Sequence, residues 1–348
     1  MHLLHTADEM KYTLSSSDDE RYMGLAVANA STVRLLTSPN PWVGAVVVAD
    51  DETVYQGATS EPGGAHAEAA ALRDAGDHAR GATLYTTLEP CSHRGRTGPC
   101  SEAIIEAGVR RVVVAIVDPD PNVGGRGIAR LRAAGIEVTL GVGADEVTEQ
   151  LRAYLTHRTL ARPYVVLKLA ASLDGRIAAP DGTSVWITGA AARADAHRLR
   201  AECDAVVVGA GTVRADDPSL TVRDFRPAGD VPTRGIDPLR VVLGRVPDAA
   251  RVLPARSCTG AIADVLSELA ADGVLQVLVE GGANVAWRFH EAGLVDEYVV
   301  YVAPAIFGGD DGRAMFAGAG AATMADVWRG RFHSVRRLGD DICLVVRP

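Results

Sequence analysis

Short, uninterrupted apolar runs alternate with stretches of helical periodicity along the whole chain, and this alternation restricts the fold more than any other feature. Val112 to Val117 is apolar at every position, the pattern of a strand inside a sheet covered by helices. Upstream, helical spacing from about Asp18 to Val33 gives way to the turn-rich Thr37-Ser-Pro-Asn-Pro41, a β-rich run from Val43 to Ala49, a hairpin turn at Asp50-Asp51-Glu52 and a second strand near Val54 to Ala58. A loop from Gly63 enters an Ala-rich helix ending near Gly76, followed by a strand at Ala82 to Thr87 and a helix from Ser101 to Ala107 stopped by Gly108. Downstream, Ile128 to Ala134 and Ile136 to Leu140 repeat helix and strand. A polar helix around Asp145 to Arg158 then leads to the break at Arg162-Pro163.

A second series starts beyond that break. Strands are expected at Tyr164 to Leu169, Ala205 to Val208, Leu239 to Leu243, Val274 to Val279 and Glu297 to Ala303, and helices at Ala190 to Ala201, Asp264 to Ala271 and Asn284 to Ala292. At 348 residues the chain exceeds one ordinary core, since domains run to roughly 100–200 residues each. The expected division is a loose tail over residues 1–17, a first α/β domain over 18–162 and a second over 163–348.

Composition narrows the function classes. No stretch approaches the ~18 apolar residues of a membrane span, and Met1 to Ser17 lacks the basic-then-apolar order of a secretory signal, so no membrane partner and a cytoplasmic location are expected. A net charge of −9 without a basic run argues against a nucleic-acid partner, while local arginines still permit small anionic ligands. Five cysteines in such a chain point to metal or catalysis rather than disulfides. Cys203, Cys258 and Cys343 stand alone and read as packing residues. Lys11 and Lys168 are the only lysines among 35 basic residues, so Lys168, inside the body of the chain, invites a chemical explanation.

His66-Ala-Glu68, Pro90-Cys91 and Pro99-Cys100 supply one imidazole and two thiols, each after an expected strand and at an expected helix start. Three protein ligands leave the open fourth position of a catalytic zinc site, whereas a structural site closes with a fourth ligand; both readings remain at this point. A helix N-terminus favours the thiolate form of each cysteine. Glu68, two residues beyond His66, reaches the centre without being a ligand and suits a proton shuttle. His-x-Glu followed by Pro-Cys resembles the signature of zinc nucleobase deaminases, although eight residues rather than two separate the cysteines.

That spacer, Cys91-Ser-His-Arg-Gly-Arg-Thr-Gly-Pro-Cys100, resembles the insertion of the bifunctional riboflavin-biosynthesis deaminase-reductases. So do Ser38-Pro-Asn-Pro-x-Val-Gly44, Thr87-Leu-Glu-Pro-Cys91 and Asp118-Pro-Asp-Pro-Asn122. The likeness runs from about Asp18 to Pro348. It implies an N-terminal cytidine-deaminase-like α/β/α domain and a C-terminal dihydrofolate-reductase-like α/β domain, with Zn2+ and NADPH as cofactors. The implied substrate is a diaminopyrimidinone carrying a ribosylamino 5′-phosphate, and the implied assembly is a homo-oligomer, a dimer through the second domain. His66, Cys91 and Cys100 match the zinc ligands and Glu68 the proton donor. Asn40 falls where related deaminases bind substrate, or is a turn residue between prolines; His93, Arg94 and Arg96 fit phosphate contacts or solvated loop positions.

Lys168-Leu-Ala-Ala-Ser-Leu-Asp-Gly175 resembles the opening of the family's reductase domain and places Lys168 as a catalytic residue at the end of a first strand, facing a cleft; a snorkelling lysine at a strand edge is the plainer reading. Gly209-Ala-Gly-Thr212 and Glu280-Gly-Gly-Ala283 offer bare backbone N–H groups to phosphates, or are tight turns; neither is the G-x-G-x-x-G of a Rossmann domain. The family pattern assigns cofactor contacts to Ala170, Trp186, Thr212, Asp216 and Gly281, Gly282 and Ala283. It assigns substrate contacts to Ser184, Arg200, Leu220, Arg223 and Glu280, with Arg200 and Arg223 as a phosphate clamp. Gly244-Arg245 stands where the family carries Asp-Ser, which leaves selectivity for NADPH over NADH open. Two rival functions are a zinc deaminase of another nucleobase and a nucleotide-binding regulatory protein with structural zinc.

Overall fold

The computed structural model describes residues 17–93, 98–121, 123–223, 225–227 and 237–348; the chain divides into two compact units between Leu155 and Thr156. Residues 1–16, Arg94, Arg96 and Asn122 lie outside the described residues, while Ser17, expected in the tail, opens the first helix.

The first unit runs α1 (Ser17–Thr32), β1 (Gly44–Val48), β2 (Val54–Ala58), α2 (Ala67–Ala75), a 3-10 turn, β3 (Thr83–Leu88), α3 (Cys100–Ala107), β4 (Arg111–Ile116), α4 (Arg126–Ala133), β5 (Glu137–Leu140) and α5 (Ala144–Gln150). Its strands make one sheet in the order β2-β1-β3-β4-β5, antiparallel across β1 and parallel from β3 to β5. Val46 and Val47 are neighbours on β1 and point to opposite faces, yet both are fully buried, so helices cover the sheet on both sides. α2, α3 and α4 contact one another in series, and α1 contacts α5. Close packing seats α2: a Cβ at Gly57 of β2 would stand 2.3 Å from the Ala67 carbonyl oxygen. The expected single polar helix at 145–158 is two, α5 and α6 (Arg152–Leu160), because Leu151 turns into the core and leaves helical geometry (φ −96°, ψ 12°).

The second unit continues with β6 (Tyr164–Ser172), β7 (Arg176–Ala178), α7 (Ala190–Glu202), β8 (Ala205–Gly209), α8 (Ala210–Asp216), β9 (Leu239–Leu243), β10 (Arg256–Cys258), α9 (Ile262–Ala271), β11 (Gln276–Val279), α10 (Ala283–Glu291), β12 (Glu297–Ala303), β13 (Arg313–Ala314), β14 (Arg331–Leu338) and β15 (Asp341–Arg347). Eight strands form a sheet in the order β10-β9-β8-β11-β6-β12-β15-β14, and β7 pairs with β13 apart from it. β10 to β12 are parallel, while β12, β15 and β14 are antiparallel. The sequence reading omits β7, α8, β10, β13 and the β14–β15 hairpin. β14 reads Arg-Phe-His-Ser-Val-Arg-Arg-Leu and is largely solvent-facing, so it carries no apolar run; backbone pairing to β15 makes it a strand.

On β6, Val165, Leu167 and Leu169 pack into a core with Leu266 and Leu269 of α9 and Phe289 of α10. Successive side chains alternate faces, so Lys168 and Ala170 look to the other side. Such parallel sheets open their ligand crevice at the carboxyl ends of the strands. Here the ends of β8, β9 and β11 carry Gly209, Leu243-Gly244 and Val279-Glu280.

Candidate active sites

Four segments of the first unit leave its sheet at one end. The start of β1 lies beside the end of β2 through Gly44 and Ala58, and beside the end of β3 through Ala45 and Thr86, while Leu88 at the end of β3 registers with Ile116 at the end of β4. The loop before β1 carries Asn40, the segment after β2 carries His66, the segment after β3 carries Cys91, and the Asp118 loop follows β4. His66 is the extended N-cap of α2 (φ −74°, ψ 161°) and Glu68 lies in its first turn; Cys100 opens α3 behind Pro99.

The ligand atoms of His66, Cys91 and Cys100 lie within 4.8 Å of one another. His66 Nδ1 is 3.6 Å from Cys91 Sγ and 3.3 Å from Cys100 Sγ. A tetrahedral zinc with Zn–S near 2.3 Å and Zn–N near 2.1 Å spaces its N and S donors by about 3.6 Å, so the donor set fits that ion. Among the described residues this is the one cluster of three metal-ligating side chains, and no fourth histidine, cysteine or carboxylate joins it to close the centre. Glu68, 4% exposed, sits beside it, its carboxyl pushed up to about 7 first by burial and then by the neighbouring Cys91.

The two thiols differ. Cys91 is held down to about 4, first by the hydrogen bond from Cys100 and then by His66 and the Cys100 backbone N–H, which reaches Cys91 Sγ at 3.4 Å. The same thiol–thiol bond and burial push Cys100 up, and the hydrogen bond to Cys91 raises His66. One expectation is corrected: Cys91 lies in irregular backbone after β3 and opens no helix. The free N–H at the start of α3 instead acts across space on Cys91. Asn40 is half-buried in a turn closed by its own N–H to the Thr37 carbonyl at 2.9 Å. His93 is exposed.

In the second unit, Lys168 lies in the middle of β6 rather than at its end, a second correction, with Nζ 3.6 Å from Glu280 Oε2. Arg200 of α7 grips the same carboxylate through Nε and Nη2 and spends Nη1 on the Thr221 carbonyl at 3.1 Å. Glu280 is buried, which raises a carboxyl, but Lys168 and Arg200 outweigh that and hold it below its usual range. Arg200 is therefore a member of a buried ion triad, while Arg223 is exposed, its backbone N–H bonded to His197 Nδ1 at 3.2 Å. Leu220 is buried at positive φ (52°), so its backbone rather than its side chain faces the surroundings, and Ser184 is half-buried.

The two glycine loops meet. A Cβ at Gly281 would stand 2.4 Å from Val285 Cβ, and one at Gly282 would touch Thr212 Oγ1 at 3.5 Å. Gly282 caps α10, which begins at Ala283, and Gly209 caps α8. Bare backbone at these paired starts fits the phosphates of a dinucleotide. Asp216 is exposed at the end of α8. Trp186 is 72% exposed, with the Arg193 guanidinium 4.6 Å above its ring and Arg193 also bonded to the Thr188 carbonyl at 2.7 Å. The sequence reading misses Arg193, since no local pattern links it to Trp186. Glu89 is legible only as a carboxylate set between an apolar strand and Pro-Cys.

Comparison with known proteins settles the family. The family model for the cytidine and deoxycytidylate deaminase zinc-binding region matches residues 16–116, and that for the RibD C-terminal domain matches 163–344. The riboflavin biosynthesis protein RibD of Bacillus amyloliquefaciens is 41% identical, with 95% of this chain and 96% of that protein covered. Its counterpart in Escherichia coli K12 is 39% identical over 94% and 98%. The chain belongs to the RibD family. Among solved structures, Acinetobacter baumannii RibD superposes with a TM-score of 0.88 at 38% identity, covering 95% of this chain and 98% of that one. A diaminohydroxyphosphoribosylaminopyrimidine deaminase/5-amino-6-(5-phosphoribosylamino)uracil reductase from Thermotoga maritima gives 0.84 at 33%, with the same coverage. The RibD units here are a zinc-dependent deaminase and an NADPH-dependent reductase of riboflavin biosynthesis; the rival readings as a regulatory protein or a deaminase of an unrelated base are set aside.

Proposed function

We propose that the first unit removes the exocyclic amino group of 2,5-diamino-6-ribosylamino-4(3H)-pyrimidinone 5′-phosphate and that the second reduces the ribosyl chain of the product to ribityl. The single observation that carries this reading is the three-donor cluster with buried Glu68 beside it. His66, Cys91 and Cys100 hold zinc, which when bound supplies the Lewis acidity that ionises water near neutral pH. Glu68 accepts the two protons of the attacking water in turn and delivers one to the ring nitrogen and one to the departing ammonia; burial, which raises its carboxyl, suits a group that both takes up and gives back protons. Asn40, on the loop that leaves the sheet at the same end, presents an amide to a ring bearing both donors and acceptors.

In the second unit NADPH supplies the hydride. Ala170, Trp186, Thr212, Asp216, Gly281, Gly282 and Ala283 hold that cofactor, and the Gly281–Val285 approach, which leaves no room for a side chain, supports the glycine part of this assignment. Ser184, Leu220, Arg223 and Glu280 contact the substrate. Lys168, with its ammonium against Glu280, orients C1′ of the ring-opened ribosyl chain. Arg223, at the surface, carries the phosphate, and Arg200 holds Glu280 in place. The domain limits we assign are 18–162 and 163–348, the assembly a dimer through the second unit, and the location the cytoplasm. That location accords with free buried Cys203, Cys258 and Cys343 and with the described helices, none of which is long and apolar enough to cross a membrane.

The test is Glu68→Ala. Ammonia release falls by at least about 100-fold, zinc stays at one per chain by atomic absorption, and NADPH oxidation with the deaminated intermediate is unchanged. Retained deamination overturns the role of Glu68.

A further inference from the structure

Glu89 lies between β3 and the metal-ligating Cys91, and its carboxylate is buried. Four backbone N–H groups converge on it. Oε2 accepts from Asp118 at 3.3 Å and Gly125 at 2.9 Å, and Oε1 from Gly127 at 2.9 Å and Ile128 at 3.2 Å. Three of these donors belong to the start of α4, whose N-cap residue Gly125 has no side chain to offer. Free N–H groups at a helix start need acceptors and carry partial positive charge. Glu89 supplies both needs from the segment that follows β3. Its own N–H is tied to the Ile116 carbonyl at 3.0 Å, so the residue is fixed at both ends.

The first turn of α4 presses directly on the metal-binding segment. A Cβ at Gly127 would stand 1.9 Å from the Pro90 carbonyl oxygen, so only glycine permits the contact. On its other side Cys91 is held by α3, through Ser101 N–H to the Cys91 carbonyl at 3.1 Å and Cys100 N–H to Cys91 Sγ at 3.4 Å. The Pro90-Cys91 pair is therefore a joint between two helix starts, and Glu89 fastens one of them.

We infer that Glu89 is a positioning residue of the deaminase: its carboxyl group, by accepting the four N–H bonds, clamps α4 to Pro90-Cys91 and thereby fixes the Cys91 sulfur in the zinc centre. This rests on the reading of His66, Cys91 and Cys100 as zinc ligands. An amide is a poor substitute, because a glutamine NH2 would face two of the four N–H donors. Residues that orient metal ligands typically matter by about 10–100-fold in affinity or activity.

The experiment uses the full-length wild type, Glu89→Gln and Gly127→Ala, each loaded with zinc and separately with cobalt(II). Gly127→Ala disturbs the same joint from the helix side and leaves the carboxylate intact. Zinc loss to a chromogenic chelator is expected to quicken by about tenfold or more in both variants, and the cobalt ligand-field bands to shift in position and intensity. The kcat of deamination drops by a similar factor with KM within about twofold, since the substrate contacts stay, and NADPH-dependent reduction of the deaminated intermediate is unchanged. Wild-type cobalt bands and zinc retention in both variants overturn the inference. A variant that loses reduction as well is reporting a folding defect, and the other then decides. A wild type that takes up neither metal overturns the underlying reading of the centre instead.

Discussion

Glu280 shows how a residue's surroundings redefine it. Its carboxylate is 7% exposed and shared by Lys168 and Arg200, so its removal leaves two cations against a neutral group in a largely dry site. Breaking such a buried arrangement from one side costs about 3 kcal/mol or more. Glu280→Gln is therefore expected to lower the unfolding transition of the reductase unit in calorimetry, as well as its NADPH oxidation rate, and to leave ammonia release intact. An unchanged transition would mean that Glu280 meets only ligand. From sequence Arg200 and Arg223 look equivalent, two arginines for one phosphate. The fold separates them by giving the first a carboxylate partner from the segment after β11 and leaving the second at the surface.

At the level of elements, Asp195 of α7 holds the helix to the antiparallel end of the sheet. It accepts from Tyr301 of β12 at 2.7 Å and Arg336 of β14 at 3.0 Å, and from Arg198 on its own helix at 2.7 Å. Burial works to raise its carboxyl, and these three partners outweigh it to hold the value at about 2. A carboxyl lowered on folding stabilises above its unfolded value near 3.8 and loses that contribution as pH falls through the folded value. The reductase unit is thus expected to lose on the order of 1 kcal/mol between about pH 4 and pH 2. The Asp195→Asn variant is less stable at pH 7 and flatter over that window, checked by near-UV circular dichroism melts. A variant that keeps the wild-type acid slope overturns this assignment. Strands and helices with an apolar period, such as β4, β9 and β12, are legible in the sequence because burial on one or both faces leaves its mark on composition. β14 is not, because its place depends on a neighbour's backbone. Cys91 is misread as a helix start for a related reason: proline before cysteine signals a cap only where the backbone goes on to turn.

For the whole molecule, the assembly we propose has a surface to match. Phe332 and Val335 of β14 are 70% and 60% exposed, on the edge strand of the eight-stranded sheet. An edge strand with bare apolar side chains invites pairing with another chain. Phe332→Glu combined with Val335→Glu is expected to shift the light-scattering mass from two chains to one at micromolar concentration. A wild type that already runs as one chain overturns the dimer.

The amino-acid order alone determined that there are two α/β units, that one holds an imidazole and two thiols suited to zinc with a carboxylate two residues from the imidazole, and that glycines follow strand ends in the other. These properties are local, written in period, spacing and residue type. Tertiary structure decided the rest: that the three donors converge within 4.8 Å, that Arg200 belongs to Glu280, that the two glycine loops face each other, and that Glu89 grips a helix start from the segment after β3. Each of those is a meeting of segments far apart in the chain, and the choice of partners is made by how helices and sheet pack, which no local pattern encodes.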